Sequence, residues 1–327
     1  MAEFGSISSR PAGLAALSDT SVVRSTATAA GPNGSCMTKR FKIRPRGPFS
    51  LAEAANFGFG QRIDPKWDGV LRFAFCVDGY RDQVGVEIRQ ENADVDCIVH
   101  GEADVSVVER QVARVLSLDF DGEAFLEIGR RDPVIGRLQA VAPGLRPPLF
   151  YSPYEAAAWS IISARRPERQ MAEVRRQLSE THGRVFDLAG QRLAALPTPE
   201  RLLAVGSFAG LTPEKVERLH GVATAAIAGM LDVDRIQAMG PEAAMEDLRS
   251  LKGIGPFYSA LIVVRGSGFA DVPVAEPKAL EFAAKLYGLP GPPSDDEFRA
   301  MAERWRPFRT WAIVLMRAAG SRLLAEG

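Results

Sequence analysis

Three short runs early in the chain are rich in β-branched and aromatic residues: LRFAFCV at 71–77, QVGVEI at 83–88 and DCIVHG at 96–101. Asp-Gly and Glu-Asn pairs separate them, and this pattern of apolar runs closed by turn residues predicts strands. Before them, SLAEAANFGFG (50–60) reads as a short helix; after them, VSVVERQVARVLSL (105–118) reads as an amphipathic one. A small α+β domain over 37–120 fits. Beyond residue 121 the strand signal stops. Ala-, Leu- and Arg-rich segments with apolar residues every three to four positions alternate with Pro and Gly breaks. Helices are predicted at 154–164, 169–181, 200–204, 213–230, 241–250, 256–265, 278–286 and 295–319, the last broken near Pro307. Residues 121–327 are therefore expected to be all helical. Residues 1–36, rich in Ser, Ala, Thr and Gly without periodicity, predict a disordered leader or an appended segment, and Met37 opens the first stretch that looks foldable.

Composition narrows this picture in three ways. A chain of 327 residues with 46% hydrophobic content can bury two cores. Its three cysteines, Cys36, Cys76 and Cys97, lack C-x-x-C spacing and are odd in number, which points to reduced thiols in a cytoplasmic protein rather than disulfides or a zinc site. Lys plus Arg and Asp plus Glu are both 40, so any affinity for nucleic acid must come from a local patch. No apolar run approaches the roughly 20 residues needed to cross a bilayer.

The most informative stretch is DLRSLKGIGPFYSALIVVRGSG, 247–268. One helix is expected to end at Leu251, a Gly-x-Gly turn follows, and Pro256 starts a second helix. Gly253 and Gly255 permit positive φ and leave room for a phosphate, while amides at the helix start supply donors. Ile254 between them is the expected apolar plug. This is a helix-hairpin-helix signature, able to grip a phosphate without reading sequence. Taken alone, it is also compatible with a plain helical hairpin.

The segments that follow, RGSGFADVPVAEPKALEFAAKLYG (265–288) and AERWRPFRTWAIVLMRAAG (302–320), resemble the DNA-3-methyladenine glycosylase II family of the helix-hairpin-helix glycosylase superfamily. So do GLRPPLFYSPYEAAAWSIISARR (144–166), similar to the family's first core helix, and GLTPEKVERLHGVA (210–223). The resemblance covers roughly residues 40–320. It implies a small α+β N-terminal domain, then a two-subdomain helical core that flips a damaged nucleotide into a pocket beside the hairpin. It further implies an aspartate that stabilises positive charge on the sugar as the N-glycosidic bond breaks. Phe257, Tyr258 and Trp311 are candidate pocket walls by stacking and cation–π attraction, with a plain core role the alternative for each.

The sequence departs from the family at two places. Where the family runs D-V-F-P-A-D-D with the last Asp catalytic, this chain has Asp271, Val272, Pro273, Val274, Ala275, Glu276 and Pro277. Proline holds the catalytic position. Glu276, its neighbour, is the candidate carboxylate; the competing reading is that it caps the helix beginning at Pro277. Asp271 matches a structural Asp. In the first core helix the family's I-L-G-Q-Q-I-S becomes Ile161, Ile162, Ser163, Ala164, Arg165, Arg166 and Pro167. The residue filling the gap left by a flipped base falls at Arg165 or Ala164. An arginine can intercalate, or Arg165, Arg166, Arg169, Arg175 and Arg176 can form a phosphate-binding stretch or a solvated helix face. Arg317 stands where a relative can carry a pocket aromatic and would make the pocket more polar.

The expectation is a monofunctional glycosylase acting on alkylated or otherwise damaged purines in double-stranded DNA, with a non-catalytic lesion binder as the alternative. A third reading is an enzyme of altered specificity that positions water with another acid. DNA contacts are expected at Lys252, Gly253, Ile254, Gly255, Arg165 and Arg166, and the pocket at Phe257, Tyr258, Trp311 and Arg317. Lys252 lies inside the turn rather than in the second helix, against a strand-cleaving lysine. The four-cysteine iron–sulfur cluster of one branch is absent. No cofactor is required, though hairpin carbonyls in this family can hold Na+ or K+. A monomer, cytoplasmic and nucleoid-associated when on DNA, is the expected form.

Overall fold

The computed structural model describes residues 39–57 and 67–325. The proposed leader with Cys36, and the end of the 50–60 helix, lie outside the described residues. The elements of the first part are β1 (Lys39–Ile43), α1 (Leu51–Asn56), β2 (Leu71–Cys76), β3 (Gln83–Glu91), β4 (Asp94–His100) and α2 (Val105–Val115). The three predicted strands are present, and β1 adds a fourth. All pairings are antiparallel in the order β1-β4-β3-β2. Phe41 and Ile88 flank Cys97 across the ladder. One face of the sheet, carrying Phe73, Phe75, Val84, Val86 and Ile88, packs on Val108, Val112 and Val115 of α2. Cys76 and Cys97 are free thiols, both buried.

After α2 come α3 (Gly122–Arg131), α4 (Pro133–Val141), α5 (Pro153–Ser163), α6 (Glu168–His182), β5 (Val185–Leu188), β6 (Gln191–Ala194), α7 (Pro199–Leu203) and α8 (Pro213–Ile227). Then follow α9 (Val233–Met239), α10 (Pro241–Leu248), α11 (Pro256–Ser267), α12 (Pro277–Tyr287), α13 (Asp295–Ala302), a 3-10 turn at Glu303–Trp305, and α14 (Arg309–Ala325). Each predicted helix appears within a few residues of its expected ends; α3, α4 and α9 are additional.

The expectation of an all-helical second part is corrected by β5 and β6. Each strand has only four residues, too few for alternation to register as a signal. Their turn places Ala189 and Gly190 at positive φ, as a tight twisted hairpin requires, yet Ala-Gly is a weak marker for it. The hairpin lies over the second face of the first sheet, where Phe186 and Leu188 meet Ala74. Gly85 makes that approach possible, because a Cβ there would stand 2.7 Å from Leu188 Cδ2 and 2.8 Å from Phe186 Cγ. Arg72 fastens the contact by donating from Nε to the Leu188 carbonyl at 2.9 Å. Covered on both faces, β2 is buried throughout, which accounts for its near-continuous apolar sequence.

The helices divide into two lobes with separate cores. Helices α5 to α11 enclose one, around Tyr154, Ile161, Leu219, Ile254 and Ile262. Helices α3, α4 and α12 to α14 enclose the other, around Ile128, Ile135, Phe298, Trp305 and Trp311. In the second lobe Asp132 is a hub. Its Oδ1 caps α4 by accepting from the Val134 amide, while Oδ2 accepts from Tyr287 at 2.7 Å and from the Trp305 indole at 2.9 Å. Among the described residues no helix is long and apolar enough to cross a membrane.

Candidate nucleic-acid interface and active-site pocket

Between α10 and α11 the chain turns through Gly253, whose φ of +94° suits glycine. The Ile254 amide closes the turn on the Leu251 carbonyl at 3.0 Å. Ile254 is 4% exposed and enters the first-lobe core, as expected of a plug. Gly255 is corrected: its φ is −93°, so its value lies in size rather than handedness. A Cβ there would meet nothing within 4 Å, and no side chain caps α11. The amides at the start of that helix therefore open onto a clear approach, with the positive end of the helix dipole behind them.

Two other elements adjoin the hairpin. A Cβ on Gly253 would touch Ile161 of α5 and Arg218 of α8, at 3.0 and 2.9 Å. Lys215 of α8 donates from Nζ to the carbonyls of Ile162 and Ala164 at 2.5 and 3.0 Å, closing the end of α5. Immediately beyond, Arg165 adopts a left-handed conformation at φ +56° and is exposed, as is Arg166. Burial lowers the Lys215 pKa, and nearby Arg166 and Arg218 lower it further, a mark of crowded positive charge. Lys252 is exposed and ion-paired to Glu217 at 2.9 Å.

The proposed basic stretch is only partly upheld. Arg175 is 4% exposed and holds fully buried Glu155 at 2.5 Å inside the first lobe, so it cannot meet phosphate. Arg176 is engaged by Glu173 and Glu180 on its own helix, each at 2.5 Å. Lys215 and Arg218 take their place on the hairpin side. Their three-residue spacing in PEKVERLH sets them on one helix face, a signal available in the sequence.

A pocket of about 80 Å³ lies between the lobes. One wall is α11, with Phe257, Leu261, Val264 and Arg265; the opposite wall is α14, with Thr310, Ile313, Val314 and Arg317. The segment carrying Val272, Val274 and Glu276 closes the third side. Thr310 pins that segment by donating to the Val272 carbonyl and accepting from its amide, both at 3.0 Å. Asp271 is structural, as expected: its Oδ1 accepts from the Arg309 amide and Nε, and its Oδ2 meets Arg306 at 3.0 Å.

Glu276 is the sole carboxylate among the described residues lining this pocket. It stands at the N-cap of α12 but its side chain accepts no capping hydrogen bond, so the capping alternative lacks its contact. Instead the side chain, 17% exposed, points to Arg317, with Oε1 2.9 Å from Nε. The approach is off the hydrogen-bonding line, and that buried oxygen accepts no hydrogen bond from a protein donor. Arg265 is a third charge at the pocket and donates to the Pro148 carbonyl at 2.6 Å. Burial depresses its pKa to about 9; Arg317 adds to the depression and Glu276 opposes it. Sequence reading overlooked Arg265, although an arginine inside ALIVVRGSG, an apolar helix, signals a buried partner.

Of the predicted pocket residues, Phe257 and Arg317 line the cavity; Phe257 is 58% exposed. Tyr258 is half-buried against the first-lobe core, edge-on to Phe257. Trp311 is corrected. It is 2% exposed and packs with Phe120, Phe125 and Phe308, because the same helix presents Thr310, Ile313, Val314 and Arg317 to the pocket while Trp311 faces the core. Among the described residues no group of three or more His, Cys, Asp or Glu could hold a metal ion.

No family model matches the chain. Over 215 residues it is 28% identical to a Mycobacterium tuberculosis protein described as a probable bifunctional transcriptional activator/DNA repair enzyme AlkA, covering 64% of this chain and 42% of that one. It is 27% identical over 184 residues to DNA-3-methyladenine glycosylase 2 of Escherichia coli, covering 55% and 62% respectively. The chain thus spans less than two thirds of either relative's length. Among solved structures, 3-methyladenine DNA glycosylase from Archaeoglobus fulgidus matches with a TM-score of 0.68 at 22% identity, over 86% of this chain and 98% of that one. An 8-oxoguanine glycosylase/lyase from Clostridium acetobutylicum matches at 0.60 and 17% identity, over 86% and 96%. With its hairpin, paired helical lobes and four-stranded sheet, the chain shares the fold of these solved glycosylase structures and is similar in sequence to DNA-3-methyladenine glycosylases.

Proposed function

We propose that the protein is a monofunctional glycosylase that removes a damaged purine from double-stranded DNA. The observation that carries this reading is the lone carboxylate, Glu276, in a pocket whose α11 wall begins at the open hairpin. The hairpin amides take one phosphate, while Lys215 and Arg166 meet its neighbours. Arg165, held outside the helix at positive φ, enters the stack as the base swings out. Hairpin carbonyls remain candidates to hold a monovalent cation at the phosphate. The protein acts as a monomer.

In the reaction the bond between C1′ and the base nitrogen breaks, and its electron pair leaves with the base. The carboxylate of Glu276 stabilises the positive charge left on the sugar. Water then adds to C1′ and its proton passes, by way of the carboxylate or solvent, to the departed base, leaving an abasic site and the free base. Lys252, in the turn before Gly253 rather than in the second helix and paired to Glu217, is no nucleophile for strand cleavage. This argues for hydrolysis alone.

Single-turnover excision tests the reading, on duplexes carrying 7-methylguanine, ethenoadenine or hypoxanthine. Glu276→Gln is expected to slow abasic-site formation by on the order of 100-fold while duplex affinity is retained. The clamping of Glu276 by Arg317 favours a second reading, a lesion binder without hydrolysis. Lesion-selective binding with no abasic product from wild type establishes that reading instead.

A further inference from the structure

The pocket is lined by two arginines, Arg265 and Arg317, against one carboxylate, Glu276; the Arg265 guanidinium is held by the Pro148 carbonyl and lies over the Phe57 ring. The pocket's formal charge is therefore positive. A base that is itself cationic meets net repulsion there, in surroundings that are mostly aliphatic apart from Thr310, whose hydroxyl is taken up by the Val272 backbone, and that do little to screen it. Phe257 at the rim can stack on any base, and Trp311, the strongest cation–π partner on α14, faces away into the second-lobe core. The aromatic surroundings that would favour a cation are thus largely missing.

Space points the same way. The cavity of about 80 Å³ is well below the roughly 300–1,000 Å³ of ligand pockets, so a purine enters only if a lining group moves aside. The polar pair at its mouth is the removable part: Arg317 is 38% exposed on a long side chain, and its contact with Glu276 lacks hydrogen-bond geometry. An incoming group that takes over the guanidinium frees the carboxylate at the same time. A carbonyl oxygen does this, since guanidinium donates and carbonyl accepts.

Resting on the glycosylase reading above, we infer that Arg317 is the specificity-determining residue of this pocket and selects uncharged damaged purines bearing a carbonyl oxygen. Binding of that oxygen draws Arg317 away from Glu276. The carboxylate is then free to face the sugar, so recognition of the base and readiness for bond cleavage are one event.

Three duplexes separate charge from the carbonyl. Hypoxanthine is neutral with a carbonyl, ethenoadenine is neutral without one, and 7-methylguanine is cationic with one. Single-turnover rates are divided by the spontaneous release rate of each base, because a cationic base leaves readily unaided. Wild type is expected to give the largest enhancement on hypoxanthine, by at least about tenfold over either of the others. Arg317→Leu should lower the hypoxanthine enhancement at least about tenfold and leave that of 7-methylguanine equal or greater, while Arg317→Lys, which keeps a donor, should restore part of the loss. Near-ultraviolet and far-ultraviolet circular dichroism of both variants must match wild type. A larger enhancement on 7-methylguanine or ethenoadenine, or an equal fall on all three in Arg317→Leu, overturns the assignment of Arg317 while leaving the glycosylase reading standing. No abasic site from any duplex overturns both.

Discussion

Charged side chains in this molecule do opposite things according to where they are held. Arg165 and Arg175 belong to one basic-looking stretch of sequence, yet the first is exposed at a helix end and the second lies in the core against Glu155. Burial pushes the Glu155 carboxyl up to about 7, against the pull of Arg175 and the Cys76 amide. Its folded-state pKa therefore exceeds the ordinary value of 4.5. Between those values the native state binds the extra proton, so this group's contribution to stability falls as pH rises through about 4.5 to 7 and is level above. Arg175→Met leaves the carboxylate buried without its counter-charge, and a loss of about 3–5 kcal/mol is expected at pH 8. At pH 5, where Glu155 is neutral in the folded protein, the loss should be clearly smaller. Urea unfolding at the two pH values measures both, and equal deficits would refute this account of the pair.

At the level of elements, the short hairpin of β5 and β6 depends on a missing side chain in another strand. Gly85→Ala is expected to cost about 1–3 kcal/mol from overpacking against Leu188 and Phe186. In a Leu188→Ala background the same change should cost less, and additive losses in that cycle would show that the two residues do not compete for space. This contact also marks the limit of what sequence patterns reveal. The strands β2 to β4 and the long helices were legible because each repeats its period over enough residues to be seen. Four-residue strands carry no such repeat, and their burial depends on a partner about a hundred positions away. The site divides similarly. Gly253, Ile254 and Glu276 were legible because turn chemistry and family register are local, and Arg317 was found by register as well. Trp311 was misassigned because the direction a side chain takes from α14 is decided by lobe packing, and Arg265 was missed because its partners lie on other segments.

Across the whole molecule, 40 basic and 40 acidic residues cancel, so on the proposed function the attraction to DNA acts at short range. The face formed by Arg165, Arg166, Lys215, Arg218 and Lys252 includes two cations already paired, Arg218 with Glu214 and Lys252 with Glu217. Contact with about three phosphates follows, and log affinity should fall against log salt with a slope of about −3. Fluorescence anisotropy of a labelled duplex between 50 and 200 mM salt, both on the order of ordinary assay conditions, would measure it. A slope near zero would remove this face from consideration. Arg166→Ala should make the slope shallower by about one.

The order in which the chain is made gives the hairpin over β2 and β3 another meaning. Arg72 and the carbonyl it grips are 116 positions apart, so the four strands are synthesised long before the cover for their second face exists. During that interval Ala74, Gly85 and their neighbours form a bare apolar surface on a nascent chain. Ribosomal pausing or truncation between residues 101 and 185 would leave it uncovered, and fragments ending there should self-associate. Completion of β6 ends that vulnerable period, making translation speed through this stretch a determinant of yield.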